Sequence, residues 1–264
     1  MVIDLSMDEP EIVPDKISNP INRKVIIGIL VMGLGIFITL NIISEDDAGM
    51  LAFIISVSIS GLVAIAAFVV SIQNRTSFLS KAYFSLALGF TAYVIAEILY
   101  YTFELVFGIE PYPSIADIFF FLLYPFLLGH LLINVKFFNS EYTRFQKIWI
   151  PGIPILILIL YVIMSLSVPD AELNFDFYYG LIFVGGASAV ISFTILGALI
   201  FKEGVWGTVW LLLVFGLMLS TVADVWYYNL EIFGYYYDAH PVTVFWFIAN
   251  LIIVYALYKH GKIM

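Results

Sequence analysis

The sequence predicts an all-α integral membrane protein of eight transmembrane helices, arranged as a 4+4 parallel tandem repeat with both termini cytoplasmic. Three observations carry that expectation. The 264 residues are 62% hydrophobic and only 12% charged, against about 25% charged in soluble domains, and the mean hydropathy is +1.04. Apolar stretches long enough to cross a hydrocarbon core of roughly 30 Å occur eight times. The cations segregate to one side of those stretches.

In chain order, residues 1–24 are polar, acidic and proline-containing. They lack the basic start and immediate apolar run of a secretory signal, so they read as a cytoplasmic tail ending at Arg23 and Lys24. Spans are expected at 25–43, 50–72, 82–107, 115–136, 148–167, 177–201, 205–231 and 241–258. They divide into a first half, 25–138, a cytoplasmic linker, 139–147, and a second half, 148–260. All eleven cations lie in the tails or at or after the ends of even-numbered spans: Lys16, Arg23, Lys24, Arg75, Lys81, Lys136, Arg144, Lys147, Lys202, Lys259 and Lys262. The opposite side holds Glu45, Asp46, Asp47, Glu110, Asp170, Glu172, Asp176 and Asp238 with no Lys or Arg. Basic residues stay in the cytoplasm, which puts the acidic side outside. That side either merely avoids cations for topology or concentrates them through its summed field.

A short stretch occurs twice. Residues 96–105 read AEILYYTFEL and residues 223–232 read ADVWYYNLEI, an offset of 127 residues between Ala96 and Ala223. Each copy ends the third span of its half, runs into a glycine (Gly108 or Gly234) and precedes a proline-started helix at Pro113 or Pro241. With an even number of spans per half, the halves share one orientation, which makes the repeat parallel. The polar positions fall at i, i+3, i+4 and i+7: Glu97, Tyr100, Tyr101 and Glu104, then Asp224, Tyr227, Tyr228 and Glu231. That is one helical face. Acids inside a membrane face the bundle interior or a watery cavity, so these eight residues are candidate ligand contacts. The competing structural role is polar glue, each acid accepting hydrogen bonds across a helix interface.

Residues 108–125, GIEPYPSIADIFFFLLYP, add a ninth candidate, Asp117. Ser114 and Asp117 have the Ser-x-x-Asp spacing of a helix capping box, and Asp117 also suits the positive end of the helix dipole. Together with the acidic helix end before it, this loop resembles the multi-pass membrane sensor region found N-terminal to bacterial diguanylate cyclases. The later stretches LSTVADVWYYNLEIFGYYY and PVTVFWFIANLIIVYALY fit the same pattern, so the resemblance covers residues 80–137 and 206–259. It implies a membrane sensing module. After the final span only Lys259 to Met264 remain, so the module is expected to stand without the cyclase domain.

Other classes find little support. The chain has no cysteine, which excludes disulfides, thiolate metal sites and cysteine nucleophiles. Its three histidines are scattered, and only His240 lies on the acidic side. No transition-metal spacing is present, and the question of a metal at the site stays open. His130 reads as a neutral interhelical histidine without a partner acid at its depth, and His240 as part of the start of span eight. Gly185 and Gly186 in the sixth span permit close helix contact. An intramembrane hydrolase would need a nucleophile with a positioned base, so no enzyme is expected. No cofactor and no nucleic acid are expected either. The partners are the lipid bilayer and a separate signalling protein or membrane complex. The reading is a sensor or ligand-binding module with an outward-facing acidic-aromatic site. The alternative is a small transporter whose paired acids couple protons or cations.

Overall fold

The computed structural model describes residues 21–74, 77–138, 142–168, 172–200 and 204–263. Most of the expected N-terminal tail (residues 1–20), and Lys16, Arg75, Asp170 and Lys202 of the charge pattern, lie outside the described residues.

Every regular element among the described residues is helical. They are α1 (Arg23–Ile42), α2 (Glu45–Gln73), α3 (Ser77–Tyr101) continued by a π-helical turn (Thr102–Val106), α4 (Ile115–Phe138), α5 (Arg144–Ser167), α6 (Phe175–Ile200), α7 (Gly204–Ile232) and α8 (Pro241–Ile263). All eight are long and apolar enough to cross a bilayer, so the chain is a polytopic membrane protein.

Local chemistry sets the ends. The Asn22 side chain accepts from the Lys24 N–H at 3.0 Å. Ser44 accepts from the Asp47 N–H at 3.3 Å, and Glu45, Asp46 and Asp47 complement the dipole in the first turn of α2. Thr143 and Gln146 form a reciprocal capping box, which starts α5 at Arg144. Residues 144–147 of the expected linker 139–147 are helical, and residues 139–141 lie outside the described residues. Gly108 and Gly234 have φ of +62° and +65°, the left-handed geometry that ends helices at little cost for glycine. After α7 the Tyr235 N–H returns to the Leu230 carbonyl at 2.9 Å and the Gly234 N–H to Glu231 at 3.1 Å, a Schellman closure.

Helix neighbours close a ring. α2 packs on α3, α3 on α4, α4 on α6, α6 on α7, α7 on α8, and α8 returns to α2. α1 lies outside the ring against α8 and α2, and α5 lies outside against α6 and α7. α3 and α7 therefore occupy opposite positions and do not pack on each other among the described residues.

The ring's two ends differ. Away from the 107–114 and 233–240 connections, all six ring helices contribute to one packed core, including Val63, Leu86, Leu127, Val190, Leu213 and Ile253. Within a bilayer such packing depends on close fit rather than on expulsion of water. His130 is fully buried in this layer with its Nδ1 2.9 Å from the Ala82 carbonyl. It is not isolated, since its ring lies 6.0 Å from Trp210, which is 4.8 Å from the His260 ring. Tyr83 hydrogen-bonds His260. At the other end the ring opens.

Candidate functional site

Between α3 and α7, at the end carrying the 107–114 and 233–240 connections, lies a cavity of about 700 Å³. Eight of the nine candidate residues line it: Glu97, Tyr100 and Tyr101 from α3, Asp117 from α4, and Asp224, Tyr227, Tyr228 and Glu231 from α7. The i, i+3, i+4, i+7 spacing thus brings two stripes from opposite helices to one space.

Glu104 is the exception. It sits on the π-helical turn, is exposed, and is not part of the lining. The Phe107 N–H bonds to the Thr102 carbonyl at 3.2 Å, an i→i+5 bond. A turn of that kind takes more residues than an α turn, so Glu104 slips off the stripe. In α7 the α-helix continues to Ile232, and Glu231 keeps its place.

Asp224 is 7% exposed and has both oxygens engaged. Oδ1 accepts from Trp246 Nε1 of α8 at 2.8 Å, and Oδ2 accepts from the Tyr124 hydroxyl of α4 at 3.2 Å. One carboxylate on α7 therefore joins three ring helices. Tyr124 reaches it because Gly186 of α6 leaves room; a Cβ there would stand 2.8 Å from the Tyr124 ring carbons. Glu97 is held more loosely, against the hydroxyls of Tyr93, one turn earlier, and Ser56 on α2.

Asp117 does two things. Its Oδ2 accepts from the Ser114 N–H at 2.6 Å while Ser114 Oγ accepts from the Ala116 N–H at 3.1 Å, which caps α4. Its Oδ1 accepts from the Tyr179 hydroxyl of α6 at 2.7 Å and faces the cavity. Across the mouth, Tyr112 donates to Asp176 at 2.8 Å.

Aromatic rings form most of the wall. Tyr228 lies 4.6 Å from Phe183, Tyr227 4.7 Å from Tyr236 and 5.4 Å from Trp246, Tyr101 4.2 Å from Phe53, and Tyr112 4.9 Å from Tyr179. The rim is acidic, with Glu110, Glu172, Asp176 and Asp238. Burial pushes the Asp238 carboxyl above the usual range, opposed by a hydrogen bond with Tyr236. Burial also raises Tyr112, helped by its bond to Asp176. His240 is lowered by burial, and its Nδ1 accepts from the Val242 N–H at 3.2 Å, capping α8.

Sequence reasoning missed several lining residues. Tyr93 lies four residues before Glu97, so extending the stripe by one turn finds it. Tyr112, Tyr161, Tyr179 and Trp246 come from helices and loops that only the ring closure brings together, and no local spacing marks them. The chain matches no family model, no curated protein and no solved structure.

Proposed function

We propose that the protein is a membrane-embedded binding module of the sensor kind and not an enzyme. A ligand enters from the outer side and settles between α3 and α7, and a separate partner protein reads the resulting change in the bundle. The observation that carries this reading is the convergence of two distant stripes on one cavity of about 700 Å³, a size ordinary for small-molecule sites. The packed core under the cavity supports reception at one end over passage through the protein. The resemblance of residues 80–137 and 206–259 to sensor regions supports it further.

The same proposal includes the parallel repeat and cytoplasmic termini. Exchanging the halves turns the α2–α8 contact into α6–α4, and both contacts exist. The outer helices break the pattern, because α1 leans on α8 whereas α5 leans on α6 and α7. The grouping of cations supports the orientation.

The second reading, a small transporter, draws on Glu97 and Asp224 lying within spans, where acids mark ion and substrate paths. Crosslinking and pull-down from native membranes, paired with flux assays in proteoliposomes, separates the two. A sensor yields a reproducible partner and no flux. Recovery of no partner, or substrate flux abolished by Glu97→Gln, would count against it.

A further inference from the structure

Resting on the sensor reading, we infer that the ligand is an organic cation, an amine or quaternary ammonium with an apolar body, held by Glu97, Glu231 and Asp238 among the faces of Tyr100, Tyr101 and Tyr227.

The first argument is charge. Eight carboxylates line the cavity among the described residues, and no Lys, Arg or His does. Buried anions are stable when paired or hydrogen-bonded. Asp224, Asp117 and Asp176 have well-formed partners within the protein. Among the described residues, the partly buried Glu97 and Asp238 and the exposed Glu231 at the mouth have only neighbouring hydroxyls. A cation from outside would complete them.

The second argument is the spread of the acids. Among the described residues, no three Asp, Glu or His side chains converge as a metal-holding group. A bare divalent ion needs six or more oxygens drawn to one point. Carboxylates dispersed around a cavity of about 700 Å³ instead suit a cation whose charge sits within a larger body. The third argument is the wall. Thirteen aromatic rings line the space, and ring faces attract ammonium groups strongly once water is excluded. Acid plus aromatic faces is a lining that favours an organic cation over a neutral apolar molecule or an anion.

The test is calorimetric titration of the detergent-purified full chain at fixed ionic strength. The probes are tetraethylammonium, benzyltrimethylammonium, choline, the neutral choline isostere 3,3-dimethylbutan-1-ol, and magnesium and calcium chlorides. At least one organic cation is expected to bind saturably, with the isostere at least about tenfold weaker. Glu97→Gln and Tyr100→Ala are expected to weaken the cation at least about tenfold, in line with loss of a charge or ring contact. Glu231→Gln, close to the mouth, provides a second carboxylate test if Glu97→Gln folds poorly. Glu104→Gln, outside the cavity, is expected to leave binding unchanged. Equal binding of the isostere, binding of the divalent ions alone, or no binding of any probe overturns the inference. If the partner is captured but no cation binds, only the ligand class fails. If the cation binds but no partner is found, the sensor reading fails and the ligand class stands.

Discussion

AEILYYTFEL and ADVWYYNLEI share four of their ten residues and one polar spacing, yet their surroundings differ. The α7 copy is anchored, since Asp224 has two donors from two other helices, at 2.8 and 3.2 Å, and its helix stays regular through Glu231. The α3 copy is looser. Glu97 rests on hydroxyls from its own helix and from α2, and the helix widens into a π turn before Glu104. Similarly spaced polar residues thus meet different partners: Asp224 bridges α4 and α8, whereas Glu97 rests on hydroxyls of α3 and α2. The difference comes from what faces them, because Tyr124 and Trp246 have no counterparts opposite Glu97. A carboxylate with both oxygens engaged holds the bundle. One with looser company is available to a ligand.

The largest expected effect tests the Asp224 bridge. Asp224→Ala strands the Tyr124 hydroxyl and the Trp246 N–H in a buried site, and unpaired buried donors cost about 1–3 kcal/mol each. Chemical unfolding in detergent is expected to show a loss of about 2–4 kcal/mol, with Glu97→Ala losing clearly less. Equal losses would erase the contrast. Next is Gly186→Ala, whose Cβ would stand 2.8 Å from the Tyr124 ring. Overpacking of that kind costs about 1–3 kcal/mol. Combined with Tyr124→Leu, which removes the obstructing ring, the cost of the added methyl is expected to shrink by double-mutant analysis.

The two proline-started helices extend the comparison to pH. α4 is capped by Ser114 and Asp117, whereas α8 uses the neutral Nδ1 of His240. Burial holds the folded-state His240 below its ordinary value. Its stabilising contribution is therefore present above the unfolded value, about 6.5, and is lost as the pH falls through the lowered folded value. Replacement by Asn keeps an N-cap acceptor that does not titrate in this range. His240→Asn is expected to reduce the acid-side destabilisation, read as a flatter melting-temperature profile between about pH 7 and 5. Ser114→Asn at the other cap is expected to leave that profile unchanged. The smallest effect belongs to Glu104→Gln, within about 0.5 kcal/mol of the parent protein, as for exposed positions generally.

The helices were largely legible in the sequence because lipid imposes long apolar runs, and glycine and proline mark their ends. Gly108, Gly234, Pro113 and Pro241 all stand where helices stop or start. Limits slipped where capping side chains extended a helix past its apolar part, as Thr143 and Gln146 do for α5. The stripes were legible because helical periodicity is local. Their meeting was not, because it depends on the α2–α8 and α4–α6 contacts that close the ring. Glu104 escaped for another reason: a π turn changes the period without changing residue types. Tyr124 and its partner Asp224 lie 100 residues apart, beyond the reach of any local spacing. The pairing of His130 and His260 through Trp210 spans a similar distance and was equally hidden.

Trp246 gives the site a built-in optical readout. It is one of five tryptophans in the chain, it borders the cavity, and its indole N–H is tied to a carboxylate. Indole emission responds to nearby charge and polarity, so an occupant arriving beside Trp246 is expected to change the intrinsic fluorescence without any attached dye. Trp246→Phe would silence that change while leaving the remaining indoles as an internal standard. Occupancy can then be followed in real time, in detergent or in vesicles, before the occupant's identity is known.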